Sequence, residues 1–192
     1  MEIIWNNLIE LLSLQSEKLV QAINPPATEE ELRDLELKLD VRLPEDFKSF
    51  YKVHNGQETN SPGIIPPGIL LSIEEILHQH SIWKELTNSG TFYKILSDPE
   101  NGIKNDWYNL KWIPITHDGT GDHICIDMDP DKGGRIGQII AFEHDNPVRI
   151  IVAPSFAEWI NLLIRDLQVG KYKFDEECGS FEEVDNTFAN KT

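Results

Sequence analysis

Basic residues are scarce in this sequence, and that scarcity excludes more than any motif does. Lys and Arg total 17 against 33 Asp and Glu, so the formal net charge is 17 − 33 = −16. No Lys/Arg run occurs, and a nucleic-acid backbone would find no basic patch to hold it. An anionic membrane surface is disfavoured for the same reason. A basic protein partner would instead be attracted. Cysteine is nearly absent: Cys125 and Cys178 stand far apart, with no CxxC and no Cys/His metal spacing. The sequence also lacks an apolar run of the roughly 18 residues that a transmembrane helix needs. Its first residues carry Glu2 and no basic stretch, unlike a secretory signal, so a cytoplasmic location is expected. GxSxG, P-loop, GxGxxG and HExxH patterns are missing too.

What remains suits one globular domain. The 192 residues are 40% hydrophobic and 9% aromatic, enough for a sizeable core. Ile4, Leu8, Leu11, Leu12, Leu19 and Ile23 recur at helical spacing over residues 3–23, and Asn24-Pro25-Pro26 ends that pattern. Thr28-Glu29-Glu30-Glu31 reads as a capping box opening a helix with Leu32, Leu35 and Leu39 on one face. A short helix is predicted from Leu43-Pro44, with the proline at its first position and Gly56 as its left-handed stop. A Pro/Gly-rich loop covers 57–68, and a short strand is expected at Leu70-Leu71. Ser72-Ile73-Glu74-Glu75 then caps a helix to about Thr87, and 88–111 reads as a long loop or insertion.

From Trp112 the period changes to two. Strands are predicted at 112–116, 123–128, 137–144 and 148–153, joined by turn-forming Gly, Asp, Asn and Pro. Ser155-Phe156-Ala157-Glu158 opens a last helix bearing Trp159, Ile160, Leu163 and Leu167. The fold class is therefore α+β: a meander of antiparallel strands, pure or mixed, with helices packed against it. The domain is expected to span 1–170, and an acidic tail, 171–192, is expected to fray.

The densest polar stretch is 117–145. Asp127-Met128-Asp129-Pro130-Asp131 has the opening of a calcium loop, but Lys132 stands where glycine is needed and Gln138 where a bidentate glutamate is needed. His117, His123 and His144 lack metal-site spacing, so neither a metal nor another cofactor is expected. The simplest reading is aspartates that cap turns and line a solvated strand face. As candidates for partner contact the stretch offers Asp118, Asp122, Asp127, Asp129 and Glu143. Trp112 and Trp159 suit the core, whereas Trp83 and Trp107 lie in less regular surroundings and could anchor an interface.

Several short runs occur in an order that resembles the SUKH superfamily. They are Asn24-Pro25-Pro26-Ala27-Thr28-Glu29-Glu30-Glu31-Leu32, Leu43-Pro44-Glu45-Asp46-Phe47, His54-Asn55-Gly56-Gln57, Trp112-Ile113-Pro114-Ile115, Gly119-Thr120-Gly121-Asp122, Gly137-Gln138-Ile139 and Ser155-Phe156-Ala157-Glu158-Trp159. The resemblance covers about residues 1–168. It implies an α+β fold without catalytic residues that works by binding another protein. The superfamily includes bacterial immunity proteins, which implies a protein that neutralises a toxin, often a basic nuclease domain. It also includes fungal regulators of cell-wall glucan synthesis, which implies a regulatory scaffold. A metal-dependent or glycan-active enzyme built on the 117–145 acids is the third reading. Oligomeric state is not indicated.

Overall fold

The computed structural model describes residues 1–66 and 68–184. Its first helix, α1 (Glu2–Gln15), stops where Ser16 turns extended, and α2 (Glu17–Gln21) starts with the Ser16 hydroxyl accepting the Lys18 N–H. The single helix predicted over 3–23 is thus two, because a serine side chain competes with the helical ladder for backbone donors. The capping box of α3 (Glu29–Leu39) is complete: Thr28 Oγ1 accepts the Glu31 N–H and Glu31 reaches back to the Thr28 N–H. α4 (Glu45–Tyr51) begins one residue later than predicted, with Pro44 outside the helix.

Gly56 lies beyond the end of α4 rather than at it. Its φ is +60°, and a Cβ there would stand 2.4 Å from the Leu71 carbonyl oxygen. Glycine is required because two chain segments cross, not because a helix stops. The neighbouring Gln57 side chain is buried and fully used. Its Oε1 accepts the Ile64 and Leu70 N–H groups, and its Nε2 donates to Ser61 Oγ and the Pro62 carbonyl. That one amide shapes the Pro/Gly-rich loop leading into β1 (Ile69–Leu70) and α5 (Ile73–Asn88).

The main sheet takes in β2 (Asp98–Pro99), β3 (Trp112–Pro114), β5 (His123–Asp127), β6 (Gln138–Phe142) and β7 (Val148–Ala153), in the order β2-β7-β6-β5-β3. β3, β5, β6 and β7 pair antiparallel as predicted; β2, inside the stretch read as a loop, adds a parallel edge. β4 (Thr116–His117) leaves the meander to pair with β1. α6 (Phe156–Gln168) follows, its start capped by the Ser155 hydroxyl. No helix among the described residues is long and apolar enough to cross a membrane.

Both faces of the sheet are covered over most of their area, and among the described strands the expected solvated face is reduced to β7, where Val148 and Ile150 are exposed. One face carries Ile113, Ile126 and Ile139 and packs on a core of α1, α3, α4 and α6, including Trp5, Phe47, Phe50 and Phe156. The other carries Trp112, Cys125, Ile140 and Phe142, covered by Trp83 of α5 with Ile103 and Tyr108 from the irregular 91–111 segment. Residues 171–184 depart from the frayed tail expected. β8 (Tyr172–Asp175) and β9 (Ser180–Glu183) form a hairpin that buries Phe174 in the first core. Ser16 and Lys18 hold Glu176, and Gln15 accepts the Phe174 N–H, so the hairpin is tied to α1 and α2. Phe188 and Asp185, also assigned to the tail, lie outside the described residues.

Trp159, only 7% exposed, packs edge-on to Phe156 at a centroid distance of 5.6 Å. Its replacement by alanine is expected to destabilise the fold by about 3–5 kcal/mol, measured by urea unfolding. A loss below about 1 kcal/mol would contradict this packing. Amide hydrogen exchange should also be slow across 123–127 and 138–142, and fast exchange there would contradict the buried meander.

Candidate partner-binding site

The five acids selected from sequence divide between the two ends of β5 and β6. Asp118, Asp122 and Glu143 lie at one end; Asp127 and Asp129 lie at the other, four residues along β5, roughly 13 Å away at the strand rise. Four of the five carry out defined internal tasks.

Asp118 closes the β4–β5 turn. Its Oδ1 accepts the N–H groups of Thr120, Gly121 and Asp122 at 2.8, 3.1 and 3.0 Å. Burial pushes its pKa up, but these bonds and that from the Thr120 hydroxyl outweigh it, and the carboxyl sits below its usual value. Asp122 Oδ1 accepts both the backbone N–H and Nδ1–H of His144, each at 2.8 Å. The hydrogen bond to Asp122 raises the His144 pKa. Glu143 is exposed and accepts only the Asn146 side-chain N–H.

Asp127 cannot meet a partner: it is 0% exposed, and its two oxygens accept the Asp129 N–H and the Gln138 side-chain N–H. Burial raises its pKa. Those same bonds take the oxygens that a calcium loop would turn to the ion. Asp129 pairs with Lys104 at 2.6 Å and accepts from Asn109, and the Lys104 bond lowers its pKa. The structure therefore corrects the reading of Asp127, and it shows no single acidic face made of all five residues.

Trp83 is corrected as well. It is 7% exposed, stacks on Tyr108 at 5.0 Å and meets Phe142 edge-on at 4.7 Å. A side chain so enclosed is core, not an interface anchor. Its indole N–H donates to His123 Nε2 at 2.9 Å, and His123 Nδ1–H donates to the Thr116 carbonyl at 2.6 Å. An indole can only donate, so Nε2 must be the acceptor and His123 is neutral. Burial pushes its pKa down to about 4. Trp107 is half-buried and lies over Arg149, with 5.3 Å from the guanidinium to the ring.

Sequence reasoning missed Arg149. It is fully buried and donates to the carbonyls of Asn146, Val148 and Trp107, and its guanidinium also lies 4.5 Å from the Phe142 ring centre. The available signal was a lone cation inside the apolar run Val148–Ala153. Among the described residues, the one group with three metal-type donors within 4.8 Å of one another is Asp175, Cys178 and Glu182 on the terminal hairpin. His117, His123 and His144 do not form such a group.

A neutral buried histidine gives a signed pH dependence. Between its unfolded pKa near 6.5 and its folded value of about 4, the unfolded chain binds the extra proton, so stability falls as pH falls. From pH 7 to pH 5 this group accounts for about 2 kcal/mol. His80, whose pKa burial also lowers, adds in the same direction; the half-buried His144, whose pKa the Asp122 bond raises, opposes it. Denaturant midpoints at both pH values should therefore separate less in His123→Leu than in the unmodified protein. Equal separations would show that His123 titrates normally.

Residues 26–162 match the SMI1 / KNR4 family (SUKH-1). The cell wall biosynthesis/cell cycle regulator smi1 of Schizosaccharomyces pombe is 29% identical over 168 residues, covering 80% of this chain and 33% of that protein. The glucan synthesis regulatory protein of Neurospora crassa is 25% identical, over 86% of this chain and 38% of its own length. The cell wall assembly regulator SMI1 of Saccharomyces cerevisiae is 22% identical, over 88% and 40%. This chain thus spans between 33% and 40% of the length of these relatives. The family match begins just before α3, ends within α6 and takes in the whole of the two-faced sheet, and on that extent the chain belongs to the SMI1 / KNR4 family (SUKH-1).

Proposed function

We propose that this chain is a non-catalytic, protein-binding regulatory domain of the cytoplasm, acting in the control of cell-wall glucan synthesis. The observation that carries this reading is the match of 80% or more of the chain to three fungal proteins named as cell-wall or glucan-synthesis regulators. Of the two readings that the SUKH resemblance permits, the regulator is the one these names support; they lend nothing to toxin neutralisation. The side chains of the 117–145 stretch argue in the same direction. A hydrolytic carboxylate must be free to give or take a proton at substrate. Asp118, Asp122, Asp127 and Asp129 instead accept bonds from the protein's own donors. Such acids stiffen turns, and a rigid frame is what a recognition surface requires.

Expression in a Saccharomyces cerevisiae strain lacking SMI1 tests the proposal. The expected outcome is a rise in wall β-glucan and in resistance to wall-binding dyes. A folded, well-expressed chain that changes neither would remove the regulatory reading. Hydrolysis of a glycan or phosphoester by the purified chain would remove the non-catalytic one.

A further inference from the structure

An acidic protein is expected to have an acidic recognition surface, yet two of its exposed aliphatic side chains border a groove whose unpaired charges are positive. Leu37 of α3 is 71% exposed and Ile136, before β6, is 68% exposed. Between them two adjoining open depressions of about 490 and 400 Å³ share Asp40, Val41 and Arg42. The first is bordered by Arg33 and Leu37, the second by Met128 and Ile136. Leu37, Val41, Met128 and Ile136 thus form a broken apolar line with Arg33 and Arg42 beside it.

The acids that border this groove are already engaged. Glu36 accepts the Leu43 N–H at 2.8 Å and lies 3.4 Å from Lys48. Asp40 pairs with Lys111 at 3.2 Å, and Asp129 with Lys104 at 2.6 Å. Glu45, the acid whose charge reaches Arg42, is held by Lys48 at 2.7 Å. Arg33 and Arg42 are exposed, and among the described residues neither has a carboxylate within ion-pair distance. The charge left over at the groove is therefore cationic. Exposed aliphatic side chains flanked by unpaired arginines complement a ligand that carries apolar and acidic groups together.

We infer that this groove docks a short acidic segment of a partner protein, one that places aliphatic or aromatic side chains on Leu37, Val41, Met128 and Ile136 and carboxylates on Arg33 and Arg42. The inference rests on the reading of the chain as a protein-binding domain but not on which cell-wall protein it serves. The chain's overall formal net charge of −16 repels such a segment elsewhere and so confines it to this site.

The test is a selection of random 12-residue peptides displayed on phage against the purified 192-residue chain. Enriched peptides should combine Asp/Glu with Leu, Ile or Phe. As synthetic peptides they should bind at least 10-fold more weakly to Arg33→Glu/Arg42→Glu and to Leu37→Ser, and progressively more weakly as salt rises. Both variants change exposed positions, and unchanged melting temperatures confirm their folding. Methyl NMR shifts on peptide addition should centre on Leu37, Val41 and Ile136. Peptides that bind the charge-reversed variant as well as the unmodified chain, or that shift methyls elsewhere, would overturn the groove while leaving the protein-binding reading in place. No enrichment would overturn docking of a linear segment. Self-association of the chain that the same variants abolish would also overturn it, because a second copy would then be the occupant. Failure of the yeast test, with the peptide result intact, would remove the cell-wall role alone.

Discussion

The constraint on which the rest of this structure depends is that the central sheet must be buried on both faces, although only one helix, α5, reaches the second. On the second face the cover is the C-terminal half of α5 and an aperiodic stretch contributing Phe92, Ile103, Tyr108 and Leu110. Burial there includes polar side chains, so each needs partners inside the protein. The cross-strand register aligns them. Asp127 lies beside Gln138, and His123 beside Phe142, which in turn lies beside Arg149. Gln138 spans the Asp127 carboxylate and the Gly102 carbonyl, binding the sheet to its irregular cover. Arg149 has no carboxylate within ion-pair distance among the described residues; carbonyl oxygens and the faces of Phe142 and Trp107 compensate its lost hydration. Burial lowers its pKa to about 10, which leaves it charged at neutral pH. Its bond to the Trp107 carbonyl makes the charge a fastener for the cover segment.

This explains which parts of the fold were legible in the sequence. Helix starts were, because Thr28, Ser72 and Ser155 act on amides three residues away. The meander was, because turn residues and β-rich runs alternate within a few positions. The second face was not. Cys125 and Asp127 alternate with Ile124 and Ile126, as on a strand with one wet side, and only Trp83 of α5 and the distant 91–111 segment reverse that expectation. Trp83 looked free for the same reason: its partners Tyr108, His123 and Phe142 are at least 25 positions away, and no local period relates them. The terminal hairpin was hidden by its charge. Asp175, Glu176, Glu177, Glu182 and Glu183 read as a solvated tail, while the anchoring comes from Phe174 and from Ser16 and Lys18 at the other end of the chain.

Net charge was a weaker guide to the site than it first seems. Glu29, Glu30 and Glu31 lie in the first turn of α3, Glu74 and Glu75 in that of α5, and Glu158 in that of α6, where the helix dipole favours them. Other acids close turns or pair with lysines. Much of the −16 is therefore structural in origin, and it acts on partners mainly as a long-range field that salt attenuates. A recognition site depends instead on the groups left without partners. On α3 the pattern was partly visible: Leu32, Leu35 and Leu39 form the buried face, and Leu37 falls off it onto the polar side. Nothing local could show that Ile136 would come to border the adjoining depression.

What fixes these apolar residues in place is a pair of tight connections beneath them. Lys111 Nζ donates to the Leu39 and Asp40 carbonyls at 3.1 and 2.6 Å, so the lysine just before β3 also closes the C-terminal end of α3. Asp40 at that end is left-handed, φ 51°, a conformation aspartate tolerates better than most residues. Gly137, the residue after Ile136, has φ +85°, and a Cβ there would stand 3.0 Å from Pro44 Cγ. Its N–H donates to the Asp127 carbonyl at 2.8 Å. The chain at Ile136–Gly137 is thereby pressed against the start of α4 while it remains bonded to the sheet. α3, the turn into α4 and the β5–β6 end are held as one unit, and an aliphatic pair on either side of such a unit loses little freedom when a ligand settles between them. Rigidity of that kind lowers the entropic cost of binding, so a few exposed side chains can suffice for recognition without a deep pocket.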